Sequence, residues 1–347
     1  MIFRSRAPVR ISFGGGGTDL SPYCDNFGGR ILNATINKYI YVTLVPRNDK
    51  KVNIVSVDYK KNLSFKDLNS IELNGDIDLI KAIILNMNPK YGFDLFLRSD
   101  IPPNTGLGSS GSVAVAIIGV FNHLKDENKL NNYEIAELAY QIENHELKNV
   151  GGRQDQYAAT FGGINFMEFR KNDFVRIIPV NINSRYIYEL EKHLVLAFVS
   201  KRGPSGEIQS ILVEQQITQT GKGKSKTEIL DQLKNYCDDM YVALSKGYLD
   251  KFGSLLHESW NVKKNLSSKI TNQKIDTIYQ KALNVGAIGG KITGAGGGGC
   301  MIFFTKSGKE HLVVKELIKL GADIIDFSFD FKGLVTWQLN KKYRAIE

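Results

Sequence analysis

No stretch of the 347-residue chain approaches the roughly 18 consecutive apolar residues that a membrane-crossing helix needs, so no spanning segment is expected. Cysteine is scarce. Cys24, Cys237 and Cys300 are odd in number, far apart and without a CxxC pair, which argues against a disulfide framework or a structural zinc site and fits a reducing compartment. The five histidines are scattered, with no HExxH or other metal spacing. The start, Met1-Ile2-Phe3-Arg4-Ser5-Arg6, lacks the uninterrupted apolar stretch of a signal peptide, so a cytoplasmic protein is expected. A Walker A loop is missing too. Gly223-Lys224-Ser225 comes nearest, but Thr218 stands where the first glycine is required and no strand precedes it.

Acidic excess is also absent. The net charge of +9 and a pI near 9.2 permit nucleic-acid binding or an enzyme with phosphorylated ligands. Basic residues are spread out, with short clusters only at 221–226 and 341–344, and no RNP pattern or zinc finger appears. Phosphorylated small molecules are therefore favoured over nucleic acid. Hydrophobic content of 42% is ordinary for a globular chain, and the length suggests two domains.

Residues 31–40, 41–46 and 51–59 read as strands, 78–86 as a helix and 93–101 as a strand. Helices are expected over 110–123 and 133–147, the latter stopped by Gly151-Gly152, followed by strands over 164–169 and 174–179. The pattern restarts with a strand over 194–199. Helices over 205–219, 227–246, 249–265 and 272–284, a hairpin over 287–304, a helix over 309–320 and strands over 322–331 and 333–339 complete the chain. The spacing places a domain boundary near residue 185, giving domains 1–185 and 186–347.

Four segments could carry chemistry. Pro102-Pro103-Asn104-Thr105-Gly106-Leu107-Gly108-Ser109-Ser110-Gly111-Ser112 joins an apolar strand to an Ala/Val/Ile-rich helix. Glycines allow close backbone approach, and a helix N-terminus offers unpaired N–H groups, a combination suited to a triphosphate. The second is Gly289-Gly290-Lys291-Ile292-Thr293-Gly294-Ala295-Gly296-Gly297-Gly298-Gly299. Ordering four consecutive glycines is entropically unfavourable, which calls for close approach to a ligand or another loop. In the third, Arg10 and Asp19 flank Gly14-Gly15-Gly16-Gly17-Thr18, an arrangement suited to hydroxyl recognition and charge stabilisation. The fourth pairs Glu143, on the polar side of a helix, with Asp155 beyond a glycine break. One carboxylate could hold Mg²⁺ and the other accept a hydroxyl proton.

In order and spacing these segments resemble the three motifs of the GHMP kinases, the superfamily of galactokinase, homoserine kinase and mevalonate kinase. The resemblance implies an α+β fold of two domains, the first with a ribosomal-protein-like β/α arrangement and the second a ferredoxin-like sandwich, with the active site between them. It implies ATP and Mg²⁺ as cofactors. Pro103, Gly106, Leu107, Gly108, Ser109, Ser110, Gly111 and Ser112 would bind the nucleotide, Ser110 and Glu143 the metal. Asp155 and Arg10 fall at the catalytic positions, and Asp19 matches a sugar-hydroxyl ligand, with Thr18, Gly16, Gly17, Gly294 and Gly296 beside the substrate.

Galactokinase-like chains read Gly-Glu-His-Thr-Asp where this one has Gly15-Gly16-Gly17-Thr18-Asp19. The run 6–23 and Gly152-Arg153-Gln154-Asp155-Gln156-Tyr157 are most similar to the D-glycero-D-manno-heptose 7-phosphate kinases, which phosphorylate an anomeric hydroxyl on the way to GDP-heptose. Lys201-Arg202-Gly203-Pro204-Ser205-Gly206 departs from that pattern. The expected partners are ATP and a sugar phosphate, with no nucleic acid or membrane and a monomer or homodimer as the assembly. Arg30, Arg153, Lys201 and Arg202 are the candidate cations for the acceptor phosphate. The alternatives are a kinase of fucose or another unphosphorylated sugar, and a non-catalytic regulator that binds sugar and ATP.

Overall fold

The computed structural model describes residues 1–201, 210 and 226–339. Arg202, the expected helix over 205–219, nearly all of the basic run 221–226 and the cluster 341–344 lie outside the described residues. Alternating and β-branched residues build a first sheet from β1 (Ile2–Gly14), β2 (Gly29–Pro46), β3 (Val52–Ser56), β4 (Lys61–Phe65), β5 (Phe93–Ser99), β6 (Ile164–Arg170) and β7 (Phe174–Pro179). The late strand β12 (Val335–Leu339) completes it. Its order is β12-β1-β2-β5-β3-β4, with β6 pairing both β2 and β7; only β3 and β5 run parallel. The two strands expected over 31–46 are one, which pairs β6 through its first half and β5 through its second.

The second sheet has the antiparallel order β11-β8-β10-β9, from β8 (Leu194–Ser200), β9 (Ala287–Ile292), β10 (Gly299–Thr305) and β11 (Asp323–Ile324). The strand expected over 322–331 is thus cut to two residues, and Phe329 makes only an isolated bridge to Ile36.

The helices are α1 (Tyr23–Phe27), α2 (Asp78–Met87), α3 (Ser109–Leu124), α4 (Asn132–Gln141), α5 (Gln154–Phe161), α6 (Ser184–His193), α7 (Lys226–Ser245), α8 (Leu249–Lys263), α9 (Gln273–Val285) and α10 (Glu310–Lys319). None among the described residues is long and apolar enough to cross a membrane. Helix α3 is buried on every side from Gly111 to Asn122, the behaviour of an all-round apolar helix, and lies against β1 and β2. Helices α5 and α6 are additions to the expected pattern. Helix α5 is short with little apolar periodicity, whereas α6 is polar in composition but amphipathic, burying Leu190 and His193.

The expected helix over 133–147 stops as α-helix at Gln141 and continues as a π-turn, Ile142–Glu146, in which the Leu147 N–H reaches back to the Ile142 carbonyl. Chain on both sides of residue 185 builds one core. Val9, Ile11 and Phe13 of β1 pack in a cluster with Leu196, Phe252 and Phe304, and β12 returns to pair with β1.

Candidate active site

Loops from both sheets enclose a cavity of about 270 Å³. Its walls are Gly16, Gly17 and Asp19 after β1; Pro103, Asn104, Gly108, Ser109 and Ser110 at the start of α3; and Glu143 of the π-turn. Gly151, Gly152, Gln154, Asp155 and Gln156, with Lys263 at the end of α8 and Thr293 to Ala295, also line the cavity.

The floor is an ion pair. Arg10, 5% exposed on β1, donates through Nε to Asp155 Oδ1 at 2.7 Å and through Nη2 at 2.6 Å. Its third nitrogen donates to the Gly106 carbonyl at 2.7 Å and the Thr293 carbonyl at 3.4 Å, so one side chain joins both glycine segments. Asp155 is in the first turn of α5 and lines the cavity. Gly108 sits over the pair at φ 75, ψ 27; a Cβ there would lie 3.0 Å from Asp155 Cγ and 3.3 Å from Arg10 Cζ. Glycine satisfies both the left-handed backbone and the close approach.

Since the Gly108 N-cap supplies no side-chain cap, the first N–H groups of α3 point into the cavity with the positive end of the helix dipole behind them. The Ser110 hydroxyl in this turn donates to the Glu143 carboxylate, which also accepts from Gln156 Nε2 at 2.7 Å. Burial pushes the Glu143 carboxyl up to about 6; the hydrogen bond from Ser110 opposes that shift, and the nearby Asp155 charge adds to it. A hydroxyl and a carboxylate beside helix N–H groups are hard oxygen donors suited to Mg²⁺. Among the described residues no three His, Cys, Asp or Glu side chains cluster for a metal, so phosphate oxygens and water would have to complete the shell.

Asp19, 3% exposed, faces this centre. Its Oδ1 accepts from the Gly17 N–H at 3.3 Å and its Oδ2 from Gln154 Nε2 at 3.3 Å. Burial, reinforced by the Asp155 charge, raises its carboxyl above the usual range. Any side chain at Gly152 would run into this carboxylate.

The second glycine segment resolves its entropic cost against another loop. Gly296 to Gly299 all have positive φ; the Cys300 N–H donates to the Thr105 carbonyl at 2.7 Å, and the Gly297 N–H to the Ile270 carbonyl at 2.8 Å. Only Thr293, Gly294 and Ala295 of this segment reach the cavity.

The residues singled out from the sequence therefore divide. Asp155, Arg10, Asp19, Gly16, Gly17, Pro103, Gly108, Ser109, Ser110, Glu143 and Gly294 come together around the cavity. Gly106, Leu107, Gly111, Ser112, Thr18 and Gly296 do not line it. The Ser112 hydroxyl donates to the Pro8 carbonyl and the Thr18 hydroxyl to the Arg30 carbonyl, so both brace loops.

Arg30 and Arg153 also lie outside its walls. Arg30 pairs with Glu168 at 3.4 Å and Asp238 at 3.6 Å, and Arg153 with Glu137 and Asp173 while stacking on Tyr140. Lys201 is exposed. Sequence reasoning missed Lys263, whose ammonium donates to the Gly294 carbonyl at 2.8 Å, together with Ser12, Gln154 and Gln156. One signal for Lys263 was present: it continues the stripe Phe252, Leu256, Ser259, which is buried.

The N-terminal domain of the GHMP kinases matches residues 78–163 and their C-terminal domain residues 240–323. The D-glycero-alpha-D-manno-heptose 7-phosphate kinase of Campylobacter jejuni is 36% identical over 341 residues, 97% of this chain and 99% of that one. A solved structure described as a D-glycero-D-manno-heptose 1-phosphate kinase, from Bacteroides thetaiotaomicron, superposes with a TM-score of 0.80 at 32% identity, over 98% of this chain and 100% of that one. A putative sugar kinase from Campylobacter jejuni does so with a TM-score of 0.78 at 35% identity, over 97% and 98%.

Proposed function

The chain belongs to the GHMP kinases, phosphotransferases with an alcohol acceptor and ATP as donor, and on that premise we propose that its acceptor is the anomeric hydroxyl of a D-glycero-D-manno-heptose 7-phosphate. The observation that carries the reading is the placement of the Arg10–Asp155 pair beneath the Gly108 loop and beside Asp19, in a chain 36% identical to a heptose 7-phosphate kinase. Within the cavity, first-turn N–H groups of α3 hold the nucleotide phosphates, and Asp19 accepts hydrogen bonds from sugar hydroxyls. Ser110 and Glu143 would hold Mg²⁺, which would supply positive charge against the phosphates.

Asp155 takes the proton of the C1 hydroxyl as that oxygen bonds to the γ-phosphorus and ADP leaves. Arg10 holds Asp155 in place through its two hydrogen bonds, and offsets charge on the transferring group. Cys24, Cys237 and Cys300 are buried and form no disulfide with one another, which fits action in the cytoplasm.

A second reading, a kinase of an unphosphorylated sugar such as fucose, is favoured by one observation: Arg30 and Arg153 are engaged by carboxylates away from the cavity. A non-catalytic regulator fits less well, because the Arg10–Asp155 and Ser110–Glu143 pairs are both assembled.

The deciding experiment is an ADP-release screen over heptose, heptose 7-phosphate, heptose 1-phosphate and fucose, with NMR of the product to locate the new phosphate. Preference for the 7-phosphate with phosphorylation at C1 is expected. Transfer to C7 of the 1-phosphate, or faster turnover of a free sugar, rejects the assignment.

A further inference from the structure

The wall of the cavity furthest in character from the nucleotide loop carries groups that the reaction above leaves unused. Ser12, 2% exposed, lines the cavity, and its hydroxyl oxygen has no hydrogen-bond partner among the described residues. A buried hydroxyl of this kind is costly unless something completes it. Lys263, 4% exposed, lines the same wall. Gly16 lies between them: a Cβ built on it would be 3.4 Å from Lys263 Nζ and 3.8 Å from Ser12 Oγ. The glycine is not required by backbone strain, since its φ is not in the left-handed region, and those distances are ordinary van der Waals contacts. Its missing side chain leaves space between an ammonium and a hydroxyl.

That space is electropositive. Arg10 and Lys263 are tethered to the consecutive carbonyls of Thr293 and Gly294, and Lys291, 2% exposed, donates to the Ser12 carbonyl at 2.5 Å. Arg10 faces the Asp155 carboxylate, and Lys263 and Lys291 each donate to a backbone carbonyl. The positive field of Lys263 and Arg10 on Lys291 adds to its burial in lowering the Lys291 pKa, a repulsion that a bound anion would relieve.

We propose that Lys263, the Ser12 hydroxyl and the open face of Gly16 form the subsite for the phosphate already carried by the acceptor sugar. The proposal rests on the phosphosugar reading. Ser12 and Gly16 share the end of β1 and its loop with Asp19, the proposed hydroxyl ligand, whereas the nucleotide phosphates are assigned to the α3 turn. The ammonium supplies charge-assisted hydrogen bonds, and the hydroxyl one more donor.

The test is the selectivity ratio, kcat/KM for heptose 7-phosphate over kcat/KM for heptose, in the parent, Lys263→Met, Lys263→Arg and Gly16→Ala, with KM for ATP measured alongside. In Lys263→Met and in Gly16→Ala, whose methyl fills the space, the ratio is expected to drop about 10- to 100-fold, the loss of one or two charged hydrogen bonds. Lys263→Arg should recover part of it. A parent ratio near unity overturns the phosphosugar reading, and this subsite with it. A high parent ratio retained in Lys263→Met and Gly16→Ala overturns the subsite alone. So does a rise in KM for ATP at unchanged ratio, which would put Lys263 on the nucleotide.

Discussion

At the residue scale the proposed chemistry rests on two carboxylates in different surroundings. Asp155 is held by two hydrogen bonds from Arg10, whereas Glu143 is buried against a serine hydroxyl and an amide. Asp155→Asn keeps the shape and removes the base, so kcat should fall about 10²–10⁴-fold with little change in ATP affinity. A loss below about tenfold in steady-state turnover would leave Asp155 a positioning group.

Glu143, with its carboxyl near 6 in the free protein, must lose a proton to bind a cation. That value lies above the ordinary 4.5 of a glutamate, so the protonated form dominates below about 6 and the carboxylate above. Apparent Mg²⁺ affinity is therefore expected to rise as pH increases through about 6 and then level off. Glu143→Gln should flatten the profile and weaken Mg²⁺-dependent turnover more than sugar binding. Magnesium titrations at several pH values check this, and an unchanged profile in the variant would remove Glu143 from the metal site.

At the scale of elements, turns and short helices aim these groups. The π-turn after α4 carries Glu143 onto Ser110, a local irregularity of a kind often found at functional sites. Alternating and helical apolar patterns announced the long strands and α3, but a one-residue change in helical winding leaves no trace in apolar spacing. The Gly108 position is the tightest of these constraints. Gly108→Ala should destabilise the fold by about 1–2 kcal/mol through its left-handed backbone. Its methyl also presses on Asp155 and Arg10, and displacements near 1 Å can lower catalysis about 10²-fold. A large fall in kcat with a small shift in Tm is the expected result; full activity would mean the pair moves without consequence.

For the whole molecule, the core shared across residue 185 predicts cooperative behaviour. A fragment ending at residue 185 would expose Val9, Ile11 and Phe13, each 0% exposed in the chain, at about 1.5–3 kcal/mol apiece, and would also lose β12 from its sheet. It is expected to show no cooperative thermal unfolding by circular dichroism, while the full chain unfolds in one calorimetric transition. An independently folded fragment, or two transitions in the full chain, would contradict this.

By itself the sequence determined which residue types could do the chemistry and where the glycine segments had to bend, because those properties belong to short windows. Asp155, Glu143, Arg10, Asp19 and the Pro103–Ser110 loop could be found that way. The tertiary structure decided which cations face the cavity: Arg30 and Arg153 are turned to carboxylates on neighbouring elements and a turn, while Lys263 arrives from a buried helix face. It also decided that the four-glycine run packs on Thr105 and Ile270 instead of a ligand. The physical reason is range. Backbone propensity and capping act over a few residues, but a buried charge takes its partner from whatever element the fold brings beside it.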